Sequence, residues 1–262
     1  MTKKVSKTFG ILFLILELAM IPRGIAFMLN RHLSNMNPLS TVTTTMTFGS
    51  IALCILMSYA SMSEHEDYPR QTFCFELMLF LCSIAPMTDL ITIALDGQGQ
   101  PGLMMFVNTV FYLIGAFIAY VLLRYEMIII GIDGRPEYVK LKRIALILVI
   151  LYVAATILNA SFGYFFTISE NGSYVSSDTF WLSYIIPFTI VAITAVMANR
   201  EMRPGKQRKA FLYFWLFAAG ASLIQIWQPE VAIQYTGYAL SMAVIYINIQ
   251  NELDADCSKI KD

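Results

Sequence analysis

Seven runs of apolar residues, most about twenty long, alternate with short polar segments along most of this chain: Leu39 to Met62, Thr72 to Leu95, Leu103 to Met127, Ile144 to Phe166, Phe180 to Ala198, Phe211 to Trp227 and Val231 to Gln250. A hydrocarbon core of about 30 Å takes roughly 20 residues to cross at 1.5 Å rise each, and the runs have that length. The pattern predicts an all-α membrane protein with a seven-helix transmembrane bundle over residues 39–250. Strand-type alternation does not repeat along the chain, which argues against an outer-membrane barrel. Between the runs stand Pro101-Gly102, Asn171-Gly172-Ser173 and Pro204-Gly205, the turn chemistry expected between helices. The last run passes without a turn signal into a short polar tail, residues 251–262, expected on the cytoplasmic side.

Residues 1–38 form a separate N-terminal segment. Lys3, Lys4 and Lys7 precede a shorter apolar run, Phe9 to Ile21, which contains Glu17 and stops at Pro22-Arg23. Three readings stay open: an extra transmembrane helix extended to Leu29, a signal peptide, against which Glu17 argues, or an interfacial helix.

Composition agrees with the pattern. Hydrophobic residues make up 57% and charged residues 14% of the 262, and mean hydropathy is +0.62, where a soluble domain carries about 25% charged residues. Net charge is +0, so its distribution matters more than its sum. Arg135, Lys140, Lys142 and Arg143 follow the third run, and Arg200, Arg203, Lys206, Arg208 and Lys209 follow the fifth. The alternate loops, residues 96–102, 167–179 and 228–230, contain no Lys or Arg. Because Lys and Arg are retained inside, the bias predicts a multi-pass cell-membrane protein with a cytoplasmic C-terminus.

Against this apolar background Asp89 stands out, since a carboxyl in a spanning helix costs about 2.5–3.5 kcal/mol unless hydrated, paired or protonated. Helix arithmetic places Asn108, Tyr112, Asn159, Gln225, Gln234 and Tyr238 at a similar depth in the outer half. Spacing groups Asn108, Tyr112, Gly115 and Ala119 on one face, Tyr152, Thr156, Asn159 and Gly163 on another, and Gln234, Tyr238 and Ser241 on a third. Asp96, Gln98, Gln228 and Glu230 are expected at the outer mouth. Two readings stay open for the group: interhelical bonding between polar side chains, or an outward-opening pocket in which Asp89, Asn108, Tyr112, Asn159, Gln225, Gln234 and Tyr238 bind a small polar or cationic ligand. At the inner ends, an ion pair between Glu76 and Arg124 could tie two helices together, with snorkelling of Arg124 the stronger account. Pro86 and Pro187 are expected to kink their helices.

Enzyme chemistry is poorly served. The two histidines, His32 and His65, lie in loops, and no HExxH, GxSxG or P-loop pattern appears. Without a lysine in any of the seven runs a retinal Schiff base has no site, so a light-driven pump is excluded. Cys54, Cys74, Cys82 and Cys257 form no CxxC pair, and neither a metal nor any other cofactor is expected. Nothing in the sequence points to nucleic acid. No inverted repeat or matched pair of interrupted helices supports a transporter, although a small-solute permease stays as the alternative.

The last run carries a further pattern. Tyr246-Ile247-Asn248-Ile249-Gln250 resembles the YxxxQ exit of the multi-helix sensor modules that precede bacterial GGDEF diguanylate cyclases and some histidine kinases. Asp89-Leu90, Asn108, Ala119-Tyr120 with Tyr125, Asn171-Gly172 with Tyr174, and Gly220 to Gln225 resemble the same family in the same order. The resemblance covers about residues 39–250. It implies a sensor for an extracytoplasmic ligand whose exit helix, through Tyr246 and Gln250, hands a conformational change to a cytoplasmic cyclase or kinase. The chain departs from the family after Gln250, where Asn251 to Asp256 stands in place of the DxLTGL start of a cyclase domain. It is therefore expected either to act on a separate partner or to be a truncated remnant. Ile249, Leu253 and Ile260 keep coiled-coil spacing but Asp256 occupies the seam, so a homodimer through the tail is not favoured, while one through the membrane helices stays open.

Overall fold

A computed structural model describes residues 7–19, 38–64, 69–202, 205–228 and 233–261. It is 85% helical. Eight α-helices lie among the described residues: α1 (7–19), α2 (Pro38–Glu64), α3 (Pro69–Leu95), α4 (Pro101–Ile130), α5 (Pro136–Phe162), α6 (Ile185–Glu201), α7 (Lys206–Trp227) and α8 (Gln234–Lys261). A 3₁₀ helix, Phe180–Tyr184, leads into α6. The helices α2 to α7 supply six segments long and apolar enough to cross a membrane, so the chain is a multi-pass, all-α membrane protein suited to a lipid bilayer.

Local chemistry sets the helix ends. Proline opens α2, α3, α4 and α5, at the position where its missing N–H costs nothing. Gly131 ends α4 in the left-handed region (φ 74°), where its N–H bonds to the Ile128 carbonyl and the Ile132 N–H to the Met127 carbonyl. This is the closing pattern that satisfies the last free carbonyls of a helix.

Packing closes the helices into a ring. α3 lies against α2 and α4, α6 follows α4, α7 follows α6, and α8 packs on α7 and back on α2 and α3. α4 is the central helix, with 61% of its membrane window buried inside the protein, whereas α5 leans on α4 and α6 from outside with 28%. The short helix α1 lies against α3, where Phe13 stacks on Phe80 at 4.6 Å. At the end of the bundle opposite the α5–α6 connection, Asp133 takes Lys142 (3.0 Å) and Arg124 (3.6 Å), and Glu201 takes Arg135 (3.4 Å) and Arg200 (3.3 Å).

Three details differ from the sequence expectation. The fourth apolar run stops as a helix at Phe162 rather than Phe166, because Gly163 adopts φ 66°. The loop that follows carries an antiparallel hairpin, β1 (Phe166–Ile168) with β2 (Tyr174–Ser176), in the register Phe166 to Ser176 and Ile168 to Tyr174. Pro187 falls in the first turn of α6 instead of its interior, where no intrahelical donor is lost. Pro86 does lie inside α3, which runs on unbroken to Leu95. The polar tail continues the last helix, and α8 reaches Lys261 without interruption.

Candidate functional site

The hairpin is docked on the bundle by α5. Asn159, fully buried near the end of α5, accepts from the Phe165 N–H (2.6 Å) and donates to the Phe166 carbonyl (3.0 Å), while its own carbonyl receives the Gly163 N–H (2.8 Å). One asparagine thus ends a helix and starts a strand. At the hairpin tip, Gly172 lies at φ 83° and so close to the α3–α4 turn that a Cβ would come 3.0 Å from the Gln100 nitrogen. The Gly99 N–H bonds to the Asn171 carbonyl at 3.0 Å, so Asn171-Gly172 fastens the tip to that turn.

Inside the hairpin, aromatic rings form a continuous stack. Tyr152 stacks on Phe165, Phe165 on Tyr112, Tyr112 on Phe166 (5.1 Å, 7°) and Phe166 on Tyr174. The Tyr112 and Tyr174 hydroxyls meet at 2.8 Å, and burial pushes the Tyr174 phenol up to about 12, so Tyr174 keeps its proton at neutral pH.

Beside these rings lies a small cavity of about 10 Å³, room for about one water molecule. Its lining comes from four elements: Phe111, Tyr112 and Gly115 of α4, Tyr152 of α5, Ser183, Tyr184 and Pro187 around the start of α6, and Gln234 and Tyr235 of α8. The lining is uncharged. Several of its hydroxyls are engaged: Tyr152 donates to the Tyr112 carbonyl (3.3 Å) and Tyr235 to the Phe111 carbonyl (2.8 Å). Gln234 donates its amide to the Tyr238 hydroxyl at 3.2 Å. Rings face it from several sides, and a ring face attracts a small organic cation by about 0.5–2 kcal/mol, but anything larger than a water enters only if the lining parts.

The residues expected to share a ligand separate into three groups. Tyr112 and Gln234 line the cavity. Tyr238 stands one step behind Gln234, stacked on Phe214. Asn159, Asn108 and Gln225 are bound to backbone: Asn108 donates to the Met104 carbonyl of its own helix (2.9 Å), and Gln225 accepts the Gln234 N–H (3.0 Å), fixing the start of α8. Asp89 is half-buried on α3, within electrostatic reach of Tyr174 and outside the cavity lining. Its Oδ2 is closed off from solvent without a hydrogen-bond partner among the described residues. Asp96, Gln98 and Gln228 are exposed at this end, and Glu230 lies outside the described residues. On α8 Tyr246 is half-buried against Phe75 (5.8 Å); the Gln250 side chain lies outside the described residues. Arg124 sits by Asp133, and Glu76 accepts from Ser61 of α2, so the Glu76–Arg124 ion pair, the weaker of the two readings, does not form.

Tyr184, Tyr235, Ser183 and Phe111 were not singled out in the sequence. A tyrosine among apolar residues gives no depth signal, but Tyr235 and Tyr238 flanking Gly237 at the start of a run could have marked a polar end. Comparison with protein families, curated proteins and solved structures finds no match to the chain.

Proposed function

We propose that this protein is a membrane-embedded sensor that takes a small ligand beneath the hairpin and passes the change along α8 to a cytoplasmic partner. In this reading α8 is the seventh spanning helix, α1 is an added helix of the bundle, and the hairpin faces outward. The observation that carries the proposal is the course of α8: its first turn, at Gln234 and Tyr235, lines the cavity, and the same helix runs 28 residues without a break to Lys261. Any ligand that moves Tyr235 therefore pushes on a continuous rod. The resemblance of Tyr246 to Gln250 to the exit of cyclase- and kinase-linked sensors supports the same direction of signalling and makes a cyclase or kinase the expected partner. Asp89 enters through Tyr174: it lies within electrostatic reach of the Tyr112–Tyr174 hydroxyl pair, where a cationic ligand would draw on its charge.

The test uses protein in lipid nanodiscs with a spin label at Ile247→Cys, an exposed position on the inner half of α8. Tetramethylammonium and phenol serve as the cationic and the aromatic probe. Both are larger than the closed cavity, so binding of either must part the rings, and it should raise the Tm and alter the mobility of the label. Gly115→Ala adds a methyl group to the cavity wall 3.4 Å from the Tyr235 hydroxyl and should abolish both effects, while Asp89→Asn should weaken the response to the cation alone. Stabilisation by a probe with an unchanged label, together with uptake of the labelled probe into sealed vesicles, would favour the permease instead.

A further inference from the structure

A second polar constellation lies between α1, α2 and α3, away from the cavity and the hairpin. Glu17 is fully buried and accepts from the Ser83 hydroxyl at 3.0 Å. Glu76 is 1% exposed and accepts from Ser61. On α3, Glu76 and Ser83 are seven residues apart, which puts them on one face about 10 Å apart along the axis. Ser58 and Ser61 stand one turn apart on the facing side of α2. Ser58 lies within hydrogen-bonding reach of both carboxylates, but its hydroxyl is not aligned for a well-formed bond to either. Its hydroxyl, on a fully buried side chain, is without a hydrogen-bond partner among the described residues, as are Oε2 of Glu17 and Oε2 of Glu76.

The chemistry of this gap is restrictive. Three oxygen atoms lie unpartnered at one place in the low-dielectric interior, two of them on like-charged groups close enough to interact. Neither carboxylate is ion-paired among the described residues. Two such groups cannot both hold a bare negative charge, because each opposes the ionisation of the other and burial opposes both. An unpartnered hydroxyl between two carboxylates can donate to one while the other takes a proton, or can accept a small hard cation together with both. We propose that Glu17, Ser58 and Glu76 form a site for an exchangeable monovalent cation, held as a shared proton or as sodium in its place. Ser83 and Ser61 extend the site along the bundle, so that Ser83, Glu17, Ser58, Glu76 and Ser61 form a ladder of oxygen atoms.

Other titratable groups surround the ladder. The Cys54 and Cys82 thiols face Glu17. On the other flanks of α3, α4 brings Tyr125 and Glu126 and α8 brings Tyr246, with the rings of Tyr125 and Tyr246 against Phe75. Arg124 of α4 lies by Asp133 and near Cys74; among the described residues neither α4 nor α8 forms an ion pair with Glu17 or Glu76.

A hydrophobic carbodiimide, which adds to protonated carboxyls in a membrane, tests the site on the full chain in nanodiscs, with modification of Glu17 and Glu76 read by peptide mass. Labelling of the pair should rise severalfold as pH falls. If sodium competes for the site, sodium chloride should protect against labelling where choline chloride at the same ionic strength does not; equal labelling in the two salts, with the pH dependence kept, assigns the proton alone. Glu17→Gln should shift the pH at which Glu76 labels, and Ser58→Ala should shift it in a protein that keeps its packing if the glutamine variant does not fold. Labelling that is absent at every pH, or that ignores pH and both substitutions, overturns the proposal.

Discussion

Asn159 and Asn108 have the same side chain at the same depth, and both are buried, yet they do different work. Asn159 meets three backbone groups of another segment through its side chain, and its removal would leave the Phe165 N–H and the Phe166 carbonyl unsatisfied in a closed space. Each such orphan costs about 1–3 kcal/mol. Asn108 bonds only to a carbonyl of its own helix that the helical ladder also uses. Asn159→Ala should therefore lower the Tm by several degrees and expose the hairpin to protease, whereas Asn108→Ala should cost less than about 1 kcal/mol. Thermal unfolding in detergent with limited proteolysis checks both, and equal losses would defeat the distinction. That both asparagines are buried was legible from their spacing with Tyr112 and Gly163. Their roles were not, because a cap and a ligand contact place the same demand on sequence: an amide at membrane depth.

The pairing of α7 with α8 shows what a glycine does at the level of whole elements. A Cβ on Gly237 would come 2.4 Å from the Ala221 Cβ and 2.8 Å from the Phe217 carbonyl oxygen, so the backbones approach closely here. Ser241 uses that closeness, donating 2.7 Å to the Gly237 carbonyl and 3.2 Å to the Phe214 carbonyl on α7. Small residues are how membrane helices gain contact when lipid is as apolar as their side chains. Gly237→Ala should force the two helices apart and cost about 1–3 kcal/mol, while Gly220→Ala, with nothing within 4 Å of its added methyl, should be neutral or slightly stabilising. A Tm series separates the two, and a Gly237→Ala protein of unchanged Tm would deny the close approach. The helices themselves were legible, since a run of twenty apolar residues has few alternatives in a membrane. The hairpin was not recognised, because three-residue strands leave too little alternation to read; Asn171-Gly172 between Phe166-Thr167-Ile168 and Tyr174-Val175-Ser176 was the signal available.

At the scale of the molecule the two ends of the bundle are chemically unlike, and the proposed orientation rests on that difference. One end carries the hairpin, the aromatic stack and loops with no Lys or Arg; the other gathers Arg124, Arg135, Lys142 and Arg200 around Asp133 and Glu201. Ion pairing does not cancel the retention of these cations, because the bias that orients membrane helices counts Lys and Arg rather than net charge. The end of α8 away from the cavity lies on the same side as this charged cluster, so the proposed orientation puts the cavity outside and that end inside. Val175 is half-exposed on the hairpin and Lys209 is exposed at the start of α7, which makes the two positions a matched pair of reporters. In a background without native cysteines, an impermeant maleimide should label Val175→Cys on right-side-out vesicles and Lys209→Cys only on inverted ones. Labelling of both from one side would mean that the chain between them does not cross the membrane as α6 requires, and labelling in the reverse sense would turn the cavity toward the cytoplasm and remove the basis for an outward-facing sensor.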